Sequence, residues 1–234
     1  MASDRIVIPV PFWKRPEVSI IFWKNIEHQR SRGLDITVVA AVTDAVNIAL
    51  AESNTDHIIR FPNDCVGKKW NKAVERCREL DFDRMLILGS DDIFSKELID
   101  LYSKHLDPYI GLKDACAMSM YSKQVKYFEG YKISDRVNES VGSGRYLSRE
   151  ILEETGFKLF GNLNNNLDMS MTKLLASKGY KNKLVKTGIK PYRLGLKVQD
   201  SISGMFGSFN HRFTKEDLID YYGEEVVNII YQFE

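Results

Sequence analysis

Apolar residues come in two distinct rhythms along the first half of the chain. Four short runs, residues 6–10, 36–42, 57–61 and 85–88, are continuous and rich in β-branched side chains, which predicts strands buried on both faces. Between them the spacing becomes helical. Residues 16–32 place Val18, Ile21, Phe22 and Ile26 three to four apart, with Pro16 suited to a first turn. Residues 71–80 gather Ala73, Val74, Cys77 and Leu80 on one face, opposite Lys72, Glu75, Arg76, Arg78 and Glu79. Residues 95–106 repeat the pattern with Leu98, Ile99, Leu101, Tyr102 and Leu106. Strands separated by helices of this length predict βαβ units, a mostly parallel sheet and the α/β class.

The rhythm changes after residue 107. Two strand-like stretches, 115–122 and 124–131, separated by little more than Lys123, predict a hairpin. A glycine-bearing loop at 141–145 precedes a helix from about Ser148, and the polar loop 162–166 runs into another near 168–178. Thr214 to Asp217 reads as a capping box ahead of Leu218 and Ile219. No internal repeat or low-complexity linker divides the chain. The expectation is one domain over 1–234, with halves at 1–106 and 107–234 and a C-terminal elaboration.

The 44% hydrophobic content of 234 residues suffices for one sizeable core, and a formal charge of +1 speaks against disorder and against polycation behaviour. Three cysteines without a CxxC pair argue against a disulfide framework, and four scattered histidines against a Zn site. No apolar run approaches the roughly 18–20 residues of a membrane span, and Asp4 and Arg5 interrupt any signal-peptide pattern. A soluble, cytoplasmic protein in a reducing compartment is expected.

The strongest chemical signal lies at residues 86–94, where a buried strand ends in Gly89-Ser90-Asp91-Asp92. Open α/β sheets bind ligands at this edge, and adjacent carboxylates suit Mg²⁺ or Mn²⁺ with substrate phosphates completing the shell. The competing reading is a solvated turn in which one aspartate caps the helix near Ser95.

Further segments extend the signal. A strand leads into a proline-containing loop, Ile8-Pro9-Val10-Pro11-Phe12-Trp13-Lys14-Arg15-Pro16-Glu17. Gly67-Lys68-Lys69-Trp70-Asn71 leads a helix, and Asp168 opens another about 75 residues after the aspartate pair. In this order the motifs resemble GT-A-fold, family-2-like nucleotide-sugar glycosyltransferases over roughly residues 5–180. The resemblance implies a Rossmann-like GT-A fold, with a nucleotide-sugar-binding half (1–106) and an acceptor-binding half (107–234). Two positions depart from the family. The first acid of its usual D-x-D-D is Gly89, and the acidic pair before the acceptor helix is Leu167-Asp168.

The resemblance implies that Pro9, Pro11 and Arg15 line the nucleoside site, with Phe12 or Trp13 stacking on the base; a core position for both rings is the alternative. Asp44 would accept from the uracil N–H of a UDP-sugar, or cap the next helix. Gly67, Lys68, Lys69, Asn71, Ser90 and Asp91 would face the donor, the two lysines reaching its diphosphate. Asp91, Asp92 and His211 would hold Mn²⁺ or Mg²⁺, although His211 also suits a surface loop. Asp168 would be the general base of an inverting transfer, or an N-cap. Gly204 and Gly207 suit a mobile flap, and Tyr127, Phe128 and Tyr131 either wall the acceptor cleft or belong to the core.

Residues 173–197 hold seven lysines and Arg193 without one acid, a local +8 that leaves −7 on the remainder. This asymmetry marks a face for a polyanionic partner, or a solvated basic surface. Gly144, Arg145, Lys181, Lys183 and Lys186 are the expected acceptor contacts. A hydroxymethylated base in DNA, as for a phage-type enzyme in a host cytoplasm, is one acceptor. A cell-envelope polysaccharide or teichoic-type polymer is the competitor. Two other classes compete: a nucleotidyltransferase, whose usual glycine-rich stretch after the first strand is absent from Val10-Pro11-Phe12-Trp13, and a non-catalytic nucleic-acid-binding module.

Overall fold

The computed structural model describes residues 4–132, 136–198 and 210–233. The first half alternates as its apolar rhythm predicts: β1 (Arg5–Phe12), α1 (Pro16–Ser31), β2 (Asp35–Val42), α2 (Ala45–Glu52), β3 (Ile58–Arg60), α3 (Val66–Arg76) and β4 (Arg84–Ile87). The second half runs β5 (Asp92–Phe94), α4 (Lys96–Tyr102), β6 (Tyr109–Leu112), β7 (Ala115–Ser119), β8 (Val125–Phe128), β9 (Arg145–Ser148), α5 (Arg149–Glu154) and α6 (Leu167–Ser177). It ends with β10 (Lys183–Val185), β11 (Arg193–Lys197), β12 (Asn210–His211), α7 (Lys215–Tyr222) and α8 (Glu224–Gln232).

Seven strands form the central sheet in the order β10-β6-β9-β4-β1-β2-β3, and only β9 runs against its neighbours. Each central strand is apolar on both sides. Ile6, Ile8, Val10 and Phe12 of β1 face a core shared with Phe22, Trp23 and Ile26 of α1, whereas Val7 faces α3, α5 and α6. That two-sided burial explains the continuous apolar runs. Pairing of β1 with β4 ends at Val7, and Pro9, the next residue of the same parity, has no N–H to extend it. The β1–β4 ladder therefore stops short of the ligand edge.

A second sheet, β12-β8-β7-β11-β5, shares a core with the first through Phe94 of β5 and Ala115 of β7. The predicted hairpin is β7–β8, turning through Lys123 at φ 57°. Alternation on β11 puts Leu194 and Leu196 into a third core with Val18 and Ile21 of α1 and Leu218, Tyr222, Val226 and Ile230 of α7 and α8. The capping box at Thr214 and Asp217 is present and starts α7. Helix α4 stops at Tyr102, short of the expected 106, and Leu106 is 94% exposed. Helix α3 starts at Val66, five residues ahead of the expected 71, which changes the environment of Lys69.

Candidate functional site

The parallel strands β1, β2 and β4 end at one edge, and the loops leaving them interlock there. Lys14 and Arg15 are consecutive left-handed residues, at φ 55° and 49°, a costly conformation for two non-glycine residues that marks a constrained loop. The Asp44 carboxylate holds this loop by accepting from the Lys14 N–H at 3.0 Å, and caps α2 by accepting from the Asn47 N–H at 3.1 Å. Burial opposes ionisation of Asp44, but the hydrogen bonds from Asn47 and Lys14 hold its carboxyl below the ordinary range. The two aromatic candidates part company here. Phe12 is fully buried, with ring centroids 5.3 Å from both Phe22 and Trp23, whereas Trp13 is 44% exposed at the rim. Pro9 is buried and Pro11 half-buried within β1.

Residues Gly89 to Asp92 form a tight turn closed by the Asp92 N–H donating to the Gly89 carbonyl. Both aspartates fold back over Gly89. A Cβ at 89 would lie 2.9 Å from Asp91 Oδ1 and 3.0 Å from Asp92 Oδ2, so the first acid of the family pattern has no room in this arrangement. Ser90 is half-buried within the turn. Asp92 is buried on β5, accepts from the Gly89 N–H at 2.8 Å and pairs with the Arg193 guanidinium. Asp91 Oδ2 accepts from Lys197 Nζ at 2.8 Å and from Arg15 Nη1 at 3.4 Å. Burial would raise the Asp91 carboxyl, yet Lys197, with Arg15 and Arg193 behind it, holds it below its usual value.

Arg193 and Lys197 were visible to sequence reasoning only as part of a basic stretch. The missed signal is period two. Arg193, Gly195 and Lys197 fall on one face of β11, and Gly195 pairs with Asp92 across to β5. The same rule places His211 elsewhere. His211 pairs with Val125 on β12, in the row of Met118 and Leu196 that faces the C-terminal helical core, and its ring packs on Phe213 at 4.9 Å. Three strands separate β12 from β5, about 19 Å at the usual strand spacing. The structure therefore does not bring His211 to the aspartates. Among the described residues no group of three or more His, Cys, Asp or Glu side chains could hold a metal ion. Three of the four carboxylate oxygens of the aspartate pair are engaged by cations or an N–H, and in this arrangement the pair does not fit the Mn²⁺ or Mg²⁺ shell expected from the sequence.

Asp168, in the first turn of α6, does reach the same cleft. A hollow of about 290 Å³ lies between the strand end at Ile87 and Gly89, the Gly142–Ser143 loop, Trp70 and Asp168, with Asp92 in its wall. A second hollow of about 150 Å³ lies beyond Gly142 and Ser143, bounded by Phe128, Tyr131, Arg193 and again Asp168. Gly142 permits this closeness, since a Cβ there would lie 3.0 Å from the Asp168 Cβ. The Asp168 carboxylate pairs with Arg136. Phe128 and Tyr131 thus wall the cleft, whereas the Tyr127 hydroxyl turns away and donates to buried Asp114 at 2.7 Å. A larger cavity, about 390 Å³, sits at the opposite edge, where Asp4, Leu34 and Arg84 lead into or open β1, β2 and β4.

Several expected contacts are braces instead. Lys69 is fully buried and donates to the Phe12 carbonyl at 2.6 Å, the Thr43 hydroxyl at 2.5 Å and Asn63 Oδ1 at 3.3 Å. It ties β1 to β2 rather than reaching a diphosphate, and burial pushes its pKa down to about 8. Extending the α3 pattern backwards from Cys77 and Ala73 would have placed Lys69 on the apolar face. Asn71 locks the loop before α6, accepting from the Leu159 and Phe160 N–H groups and donating to the Phe160 carbonyl. Gly67 fits under that loop, and a Cβ there would overlap the Gly161 carbonyl oxygen. Lys68 stays exposed on the first turn of α3.

Arg145, expected at the acceptor, is fully buried beneath the cleft. It donates to the backbone carbonyls of Ser140, Val141 and Asp168, and so braces both walls from below. Gly144, at φ 88°, forms the turn into β9, and the Tyr102 hydroxyl donates to its carbonyl. Lys181 and Lys183 are exposed ahead of and at the start of β10, while exposed Lys186 follows its end, on the ligand edge. Gly204 and Gly207 lie outside the described residues. No helix of the described residues is long and apolar enough to cross a membrane.

The sequence matches no family model and no curated protein. Solved structures do match. A mannosyltransferase from Pyrobaculum calidifontis, PcManGT, solved in complex with GDP-Man and Mn²⁺, superposes with a TM-score of 0.57 at 14% identity. The match covers 87% of this chain and 59% of that one. S. aureus TarS, residues 1–349, superposes with a TM-score of 0.56 at 13% identity, over 82% of this chain and 60% of that one. The chain thus spans about three fifths of the length of these neighbours. At such identities the likeness concerns architecture: this chain has the GT-A fold, a mostly parallel central sheet flanked by helices.

Proposed function

We propose that the chain is a glycosyltransferase that moves a sugar from a nucleoside-diphosphate donor, a UDP-sugar in the reading we favour, to a hydroxyl acceptor with inversion. The observation that carries this reading is the convergence of Asp92 and Asp168 on one cleft at the ligand edge of a GT-A sheet. Trp13 and the Lys14–Arg15 loop supply an aromatic face and a rim for the nucleoside beside Asp44. Asp168 acts as general base. It removes the acceptor proton while the acceptor oxygen bonds to the anomeric carbon, and the bond to the donor diphosphate breaks with its electron pair leaving on phosphate oxygen. Gly142 keeps the backbone clear of this carboxylate, and Arg136 orients it.

The acceptor in this reading is a polyanion carrying free hydroxyls, met by the exposed lysines 181, 183 and 186; a hydroxymethylated DNA base is the first candidate. A duplex base would have to leave the stack to reach Asp168. The test is a thermal-shift screen of UDP- and GDP-sugars followed by transfer assays on hydroxymethylcytosine DNA and on a glycerol-phosphate polymer. A donor at about 100 times its dissociation constant should stabilise the fold by about 2.7 kcal/mol. A shift with a nucleotide sugar, and product that disappears in Asp168→Asn, is the expected result. No shift with any nucleotide would remove the transferase reading and leave a binding module as the better account.

A further inference from the structure

The aspartate pair is overcompensated by cations, and that balance bears on how a donor is held. This inference rests on the donor-site reading above. Two carboxylates, Asp91 and Asp92, meet three cations, Arg15, Arg193 and Lys197, a local surplus of one positive charge. Both Asp92 oxygens are engaged, one by Arg193 and one by the Gly89 N–H, and the residue is 3% exposed. Arg193 is fixed a second time, donating to Ser143 Oγ at 3.1 Å in the cleft wall.

The backbone is shaped for this set. Gly195 lies opposite Asp92, and a Cβ there would sit 3.3 Å from Asp92 Oδ1 and 3.5 Å from the Arg193 guanidinium. Gly89 likewise removes the side chain that would crowd both carboxylates. The same chain that lacks the first acid of a metal-binding run thus supplies two cations, Arg193 and Lys197, on one face of β11. A divalent ion entering here would have to displace Lys197 and Arg193 or face them at contact distance. An anion meets the opposite field.

We infer that Arg15, Arg193 and Lys197 bind the donor diphosphate directly, and that the donor is held without a divalent ion. Asp92 acts as a positioning residue that keeps Arg193 extended towards the cleft, whereas Asp91 occupies Lys197 and Arg15 until the donor takes them. A guanidinium and an ammonium on one strand face suit two adjacent phosphates, the first through its paired N–H groups and the second as a point charge. Arg15, 45% exposed, and Lys197, 29% exposed, are free to turn from Asp91 to a ligand, whereas Arg193 stays anchored in its buried pair.

The two accounts of Asp91 predict opposite signs. The experiment is isothermal titration of UDP and of GDP into the full chain, in EDTA and in Mn²⁺, for wild type, Lys197→Met and Asp91→Asn. The expected result is binding of at least one nucleotide in EDTA, within a few-fold of its value in Mn²⁺. Lys197→Met should weaken it about tenfold or more, and Asp91→Asn should leave it equal or tighter, because a competing anion is gone. Binding seen only with Mn²⁺ and lost in Asp91→Asn overturns the inference and leaves the donor-site reading standing. No binding of either nucleotide in either buffer overturns both. Should Lys197→Met fail to fold, judged by its circular dichroism, the EDTA comparison and Asp91→Asn still decide.

Discussion

Lys69 shows what burying a charge does to the surroundings of a cleft. Its ammonium stays inside because three oxygens receive it, and burial still lowers its pKa to about 8. Below pH 8 both folded and unfolded chains carry this proton. Between about 8 and the unfolded value of 10.5 the unfolded chain binds more protons, so this group's contribution to stability rises with pH. Lys69→Met removes the effect. The melting temperature of wild type minus that of Lys69→Met should rise from pH 7.5 to 9.5, and a constant difference would mean an ordinary lysine pKa. A second residue-level prediction concerns chemistry. Asp168→Asn keeps the side-chain shape and its place in α6, so the melting temperature should change little. Turnover with a cognate donor and acceptor should fall by a factor of about 10²–10⁴, the usual worth of a general base.

The first turn of α3 and the loop before α6 form a single unit, since Asn71 bonds residues 159 and 160 and the Gly67 N–H donates to the Leu163 carbonyl. Gly67→Ala puts a methyl group 1.9 Å from the Gly161 oxygen, a backbone atom with no side-chain freedom to yield. We expect a loss of about 1–3 kcal/mol, typical of overpacking, read as a lower denaturation midpoint. The displacement should pass to Asp168, which follows that loop, so kcat should fall with little change in donor affinity. Unaltered kcat in a destabilised Gly67→Ala would show that the loop does not position the base.

Across the molecule, three cores are stacked so that the site depends on residues far from it. Strand β11 carries Arg193 and Lys197 on one face and Leu194 and Leu196 on the other, and the second face rests on α7 and α8. Removing core volume beneath β11 should therefore disturb the cations above it. Leu218→Ala, at a fully buried position on α7, should cost about 2–5 kcal/mol by chemical denaturation. If β11 is seated by this core, nucleotide affinity should drop in the same variant while Asp168→Asn leaves it unchanged.

Much of this architecture is a local matter. Continuous β-branched runs must be buried on both faces, 3.6-residue spacing must present one face to a sheet, and Thr214 with Asp217 satisfies a helix start from four consecutive residues. Those constraints act within a dozen residues, so the alternating first half, the β7–β8 hairpin and the aspartates at a strand end were legible from the chain alone. The partners of those aspartates were not. Asp91 and Lys197 are 106 residues apart, Asp92 and Arg193 101 apart, and Asn71 lies 88 residues from the loop it ties. Which charge meets which is set by strand order and register, where a shift of one residue turns a side chain to the other face. That rule puts Arg193 and Lys197 over the aspartates and turns His211 away from them.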